Sequence, residues 1–199
     1  RRRLSLMADG AFWDERYRGA DYAYGEAPNA FLAAQRFAPG GRALVPGDGE
    51  GRNGVYLARQ GLEVETLDLS AEGVAKARRL ALSRGVKLDA QQADVLAWDW
   101  REGYYDVVAL LYLHLVAPDR KLLHARALKA LKPGGRIVLE AFTPAQLLKQ
   151  QAGSRGGPRD AALLYTANDL RADFAGAEIE RLEEVEVDLH EGALHVGAS

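Results

Sequence analysis

Gly47, Gly49 and Gly51 stand at alternate positions just after the apolar run Ala43-Leu44-Val45-Pro46. A second run from Leu62 to Leu67 ends at Asp68, and a helical pattern from Asn53 to Gln60 lies between them. A strand, a glycine turn, a helix and a strand closed by an acid make a site for a nucleoside. Glycines at these positions admit backbone close to a ligand where a Cβ would collide. The unpaired N–H groups at the start of the helix point into the same gap. Asp68 can accept two hydrogen bonds from the vicinal hydroxyls of a ribose. Gly49, Gly51 and Gly54 also satisfy the dinucleotide spacing, so a nicotinamide-binding oxidoreductase is a competing reading. The loop aligns better from Gly47, the first glycine after the strand, which argues against it.

Tyr112 and His114 follow the most apolar run, Asp106 to Leu111, at the carboxyl edge where open α/β sheets bind ligands. His114 is a candidate base or substrate contact, or a packing histidine. His190 and His195 flank the last predicted turn, at Glu191-Gly192, and His124 falls on a predicted surface helix. No two histidines and a carboxylate fall at metal-ligand spacing, so no metal is expected. There is no cysteine, which excludes disulfides and thiolate catalysis and fits a reducing, cytoplasmic compartment.

The elements that must position these residues follow an alternating rhythm. Asp9 caps a first predicted helix carrying Phe12, Trp13 and Tyr17. Tyr22 to Ala27 is a loop, and Pro28 starts a helix through Ala38 that Pro39-Gly40-Gly41 stops. Ser70 caps a helix over 71–84, and strands are predicted over 86–91, 106–111 and 136–141. A helix over 118–131 joins the last two of these, and shorter helices over 144–150 and 167–174 follow, with a Gly-, Ser- and Arg-rich loop at 152–160 read as mobile. Two antiparallel strands, 178–189 and 193–198, close the chain. Strands alternating with helices predict a mostly parallel sheet covered on both faces.

At 199 residues, 48% hydrophobic and 27% charged, the composition fits one ordinary α/β domain. A net charge of −2 implies no global attraction to nucleic acid or anionic lipid. The longest apolar run, Val107 to Val116, is too short to span a bilayer. A small-molecule substrate is therefore expected, with no nucleic-acid or membrane partner, and the oligomeric state stays open. Residues 1–6, with three arginines ahead of Met7, read as a disordered extension, and 7–199 as a single domain. The natural chain could run past Ser199.

With these pieces placed, the chain resembles the class I S-adenosylmethionine (SAM) dependent methyltransferases from about Phe12 onwards. The resemblance rests on Gly47-x-Gly49-x-Gly51, on Asp68, on Asp94 after the third strand, on Leu131-Lys132-Pro133-Gly134-Gly135 before the fifth, and on the closing hairpin. Phe12-Trp13-Asp14-x-Arg16-Tyr17, Tyr24-Gly25-x-x-Pro28-Asn29, Gly49-Glu50-Gly51-Arg52-Asn53 and Glu191-Gly192-x-Leu194-His195 are similar to the tellurite-resistance and thiopurine-type methyltransferases. The class implies a doubly wound, Rossmann-like sheet of seven strands in the order 3-2-1-4-5-7-6, antiparallel only at the terminal hairpin.

It also implies SAM as cofactor, held by Trp13, Tyr24, Gly25, Gly47, Asp48, Gly49, Gly51, Arg52, Asn53, Asp68, Leu69, Asp94, Val95 and Leu111, with S-adenosylhomocysteine as product. Residues 7–41 would form a helical lid. The narrower group implies methyl transfer to a small, soft sulfur, selenium or tellurium nucleophile, with His114 and His195 as catalytic candidates. By their place in the loop at 152–160, Arg155 and Arg159 read either as solvated charges or as contacts for an anionic substrate. The chain departs from the class at Val45, where an acid usually stands two residues before the first glycine; Asp48 is the candidate to take over part of that acid's task. That departure keeps a SAM-binding protein without catalysis as an alternative.

Overall fold

The computed structural model describes residues 9–199, so the expected extension at residues 1–6 and the start at Met7 lie outside the described residues. Five parallel strands form the central sheet: β1 (Arg42–Pro46), β2 (Glu63–Asp68), β3 (Asp89–Gln92), β4 (Tyr105–Leu111) and β5 (Leu131–Glu140). Their order is β3-β2-β1-β4-β5.

Side chains alternate across this sheet as the pleat requires. Val45, Val107 and Ala109 face one core with Leu32 and Leu57, and Leu44, Val108 and Leu110 face the other with Leu123 and Ala127. Both faces are covered, so β4 is apolar at nearly every position.

The helices are α1 (Gly10–Tyr17), α2 (Ala30–Ala33), α3 (Arg52–Arg59), α4 (Ala71–Ser83), α5 (Ala117–Ala130), α6 (Gln146–Gln151) and α7 (Ala167–Asp173). Asp9 caps α1 by accepting from the Phe12 amide, and Ser70 caps α4 by accepting from Gly73. The helix expected from Pro28 to Ala38 is a single turn, Ala30–Ala33, capped by Asn29, so Pro28 lies before it.

The sheet class and the order of its first five strands are as expected, but strands six and seven do not extend it. β6 (Asp188–Glu191) and β7 (His195–Ala198) form a separate antiparallel ribbon. The strand expected from Glu178 begins only at Asp188, because the Glu-rich stretch before it is mostly exposed and has no apolar face to bury. The outer edge of β7 pairs instead with Arg155.

The loop at 152–160 is pinned rather than free. Arg155 and Val196 exchange backbone hydrogen bonds at 2.8 Å, and the Gln150 side-chain amide donates to the carbonyl of Gly156 at 2.7 Å.

Candidate functional site

Pro46 pairs in register with Leu67, so the glycine loop leaves β1 beside the end of β2. This point, where β1 has β2 on one side and β4 on the other, is the topological switch of the sheet. Gly47, Gly49 and Gly51 have φ of 68°, 57° and 89°, a region that other residues enter only with strain. The turn is also crowded. A Cβ on Gly51 would lie 2.5 Å from that of Ala77, and one on Gly49 would lie 2.6 Å from the Tyr17 hydroxyl.

Asp68 is buried at the tip of β2. Its Oδ2 accepts from the Gly49 amide at 2.8 Å and its Oδ1 from the Ser70 amide at 2.9 Å. Burial raises its pKa, and the two amide hydrogen bonds oppose that rise. Each oxygen keeps acceptor capacity for a further donor.

Asp48 points back toward α3, where its Oδ2 accepts from the Gly54 amide at 3.0 Å. Its Oδ1 is buried without a partner among the described residues. Burial pushes this carboxyl up to about 7, against the hydrogen bond from Gly54.

Glu50 and Lys76 form a buried ion pair at 2.7 Å. Glu50 also accepts from the Ala23 amide and Lys76 donates to the Asp21 carbonyl, so the pair ties the N-terminal segment to the glycine loop. Spacing does not link the two, because they stand 26 residues apart and Lys76 on a helix reads as a solvated charge.

Other anchors hold the same segment. Asp14 accepts from the Ser70 hydroxyl at 2.5 Å, and Asn53 accepts from the Asn29 amide at 2.9 Å. Trp13 stacks on Tyr17 at 5.7 Å, Tyr17 meets Tyr24 at 6.4 Å, and Tyr24 meets His195 at 4.5 Å. This aromatic row runs from α1 across the glycine loop to the hairpin.

Arg52 faces the hairpin. Its Nη2 lies 3.0 Å from Glu191, and its Nη1 donates to the carbonyls of Tyr24 and Ala27. Arg52 and Asn53, expected to touch a cofactor, hold the segment over the loop through these side-chain contacts.

The hairpin brings His195 beside the end of β4 and β5. Its ring lies 4.8 Å from Tyr112 and 5.4 Å from Phe142. Tyr112 has φ of 54°, and its hydroxyl donates to Glu140 at 2.7 Å. Asn29 donates to the other oxygen of Glu140 at 2.8 Å.

His114 does not join this cluster as a free base. Its Nδ1 donates to the Leu163 carbonyl at 2.6 Å, and its Nε2 accepts from the Phe142 amide at 3.2 Å. Both nitrogens are used by main chain, and burial lowers its pKa to about 4. His114 is therefore held neutral as a clamp between loops, as the packing alternative expects. His124 is not on a surface either: it is buried and lies 2.9 Å from Asp173, beside Arg120.

The remaining predicted contacts divide. Gly25 has φ of 73° and meets Gly192 of the hairpin turn at close range. Leu69 is exposed next to Asp68. Asp94 is exposed beyond β3, where its Oδ1 accepts from the Leu96 amide at 2.8 Å. Val95 and Leu111 are buried in the cores flanking the sheet. Trp98 and Trp100 pack edge to face against the core that carries α5. Arg155 has its backbone on β7.

The sheet and its glycine loop match a known family. Residues 43–135 match the family model described as a methyltransferase domain. The ubiquinone biosynthesis O-methyltransferase of Pectobacterium atrosepticum is 36% identical over 99 residues, 49% of this chain and 41% of that one. The chain spans about half the length of the curated relatives it matches, from 41% to 59%. A structure described under the conversion of a disulfide bond into a thioacetal group during echinomycin biosynthesis has a TM-score of 0.72 at 24% identity, over 95% of this chain and 89% of that one. Magnesium protoporphyrin IX methyltransferase from Synechocystis, with S-adenosylhomocysteine bound, has a TM-score of 0.58 at 23% identity, over 74% and 68%. Over the sheet and its glycine loop the chain is thus similar to methyltransferases, and its fold is that of the solved methyltransferase structures.

Proposed function

We propose that this chain is a SAM-dependent methyltransferase, which binds SAM across the carboxyl ends of β1, β2 and β4 and transfers its methyl group to a small-molecule acceptor. The supporting observation is the joint position of the glycine loop and Asp68 at the switch point of the sheet. The residues fit the cofactor. The loop backbone adopts turns that only glycine enters freely, and Asp68 keeps lone pairs for two ribose hydroxyls. The orphaned Oδ1 of Asp48 adds an acceptor beneath the same loop.

When bound, SAM supplies an electrophilic methyl group on a sulfonium, which is already a good leaving group. The chain's task is alignment and exclusion of water. Holding two reactants in attack geometry can supply roughly 7–11 kcal/mol of a barrier. Residues 9–29 serve as the lid: Asp14, Glu50, Arg52 and Asn53 hold them over the loop, and Trp13, Tyr17 and Tyr24 form their apolar underside. Asp94 and Leu69 flank the adenosine end, and Val95 and Leu111 shape the floor.

The acceptor site lies between Tyr112, Phe142 and His195, where His195 serves as the base. A soft sulfur, selenium or tellurium anion would need no base. An acceptor that arrives with its proton would use His195. The likeness to the ubiquinone O-methyltransferase and the buried position of His195 favour the second kind, a thiol or hydroxyl. Incubation with methyl-labelled SAM and a panel of phenols, thiols, selenite and tellurite tests the reading. Formation of S-adenosylhomocysteine with at least one acceptor is expected, and none with any of them, despite SAM binding, would support a binding protein without catalysis.

A further inference from the structure

The hairpin carries one carboxylate that spacing alone places in a turn. Glu191 and His195 are cross-strand partners in β6 and β7, and Gly192–Leu194 make the turn between them. One oxygen of Glu191, Oε2, lies 3.0 Å from Nδ1 of His195 and 3.0 Å from Nη2 of Arg52. All three side chains are largely buried, with His195 and Arg52 each 8% exposed and Glu191 14%. Arg52 follows directly on Gly51, so this single oxygen joins the cofactor loop to the hairpin histidine.

We propose that Glu191 is a positioning residue: it holds His195 in the tautomer with the proton on Nδ1, so that the Nε2 lone pair faces the acceptor. The inference rests on the methyltransferase reading above and deepens it. A carboxylate can only accept at this position, so Nδ1 must donate, and in the neutral ring Nε2 is then the acceptor. Nε2 makes no hydrogen bond among the described residues. The Cδ2 edge of the ring, which adjoins Nε2, faces Gly156, where a Cβ would lie 3.4 Å away.

Tyr24, Tyr112 and Phe142 enclose the rest of the ring and fix its plane. Arg52 keeps the carboxylate charged. Burial raises the pKa of Glu191, but the hydrogen bonds from His195 and Arg52 outweigh this and hold it below the usual range. In the reaction, Nε2 takes the proton of an O–H or S–H acceptor while the acceptor's electron pair forms the new bond to the methyl carbon. The pair of the broken carbon–sulfur bond stays on sulfur.

Nitrogen-15 spectra of histidine-labelled protein at pH 8.5 test this directly, with His195→Gln to assign the signal. The wild type is expected to show a protonated Nδ1 and an unprotonated Nε2, and Glu191→Gln to move His195 toward the Nε2–H form. Turnover of Glu191→Gln is expected to fall about 10- to 100-fold, less than the roughly 100- to 10,000-fold that a general base contributes outright, because His195 itself remains. Its SAM affinity should stay within about three-fold of wild type, a difference of less than one hydrogen bond's net contribution. Glu191→Asp, which keeps the charge, should recover part of the rate.

A wild-type ring protonated on Nε2 would overturn the proposal, as would an unchanged tautomer in Glu191→Gln or parallel losses of rate and SAM affinity. If Glu191→Gln does not fold, the wild-type spectrum and Glu191→Asp decide. If wild-type protein methylates none of the acceptors, the methyltransferase reading fails, while the spectrum still answers for the tautomer.

Discussion

The amide of Gly49 donates to Oδ2 of Asp68 at 2.8 Å, fastening the middle of the glycine loop to the tip of the neighbouring strand. The same carboxylate that is to hold a ribose also sets the shape of the loop beneath it. Asp68→Ala is therefore expected to weaken SAM binding by about two orders of magnitude, since hydrogen bonds to a charged group contribute about 1.5–3 kcal/mol each. Calorimetry with SAM, alongside circular dichroism to show an intact fold, is the check. Unchanged affinity would remove the ribose assignment.

The buried carboxyl of Asp48 makes stability depend on pH. Its folded pKa of about 7 lies above the ordinary 3.8, so the folded state binds the extra proton. The resulting stabilisation is fully present below the unfolded value and is lost as pH rises through about 7. The melting temperature of wild type should fall between pH 5.5 and 8.5 more steeply than that of Asp48→Asn. Parallel curves for the two proteins would show that Asp48 is not the group responsible.

Gly51 has φ of 89°, and a Cβ there would lie 2.5 Å from that of Ala77 on α4. Gly51→Ala forces both backbone strain and overpacking, and overpacking alone costs about 1–3 kcal/mol. A chemical denaturation series should show a loss of about 2 kcal/mol or more. Gly85→Ala meets only open space at a similar φ of 66°, so it should lose less.

The two histidines expected to do chemistry part company. His195→Ala should lower turnover far more than SAM affinity, because its ring lies among the acceptor-site aromatics. His114→Ala should instead lower the melting temperature, because it leaves the Leu163 carbonyl and the Phe142 amide without their partner. An unpaired buried group costs about 1–3 kcal/mol. Kinetics and thermal melts of both variants separate the roles, and a His114→Ala protein of normal stability but no turnover would reverse the assignment.

The glycine loop and Asp68 were legible because each depends on local spacing, whereas the order of the first five strands came from the family resemblance. Apolar runs gave the strands, and alternating glycines gave a turn that only they can make. The long-range ties were not legible. Glu50 pairs with Lys76, and Arg52 with Glu191, across separations in sequence that no period records. Glu191 was hidden for a smaller reason. Reading Glu191-Gly192 as the turn put the acid at the bend, whereas the three-residue turn sets it opposite His195. The same signal, counted with a longer turn, would have found the pair. The separate ribbon was also out of reach, because alternation in the Glu-rich 178–187 stretch looks like a strand even where nothing covers it.

The central claim is that SAM lies over the loop at Gly47–Gly51 with its ribose on Asp68. A crystal structure with S-adenosylhomocysteine tests it most directly. The expected result is ribose hydroxyls within hydrogen-bond distance of the Asp68 carboxylate and the sulfur turned toward His195. Density for the ligand elsewhere, or none at saturating concentration, would contradict it.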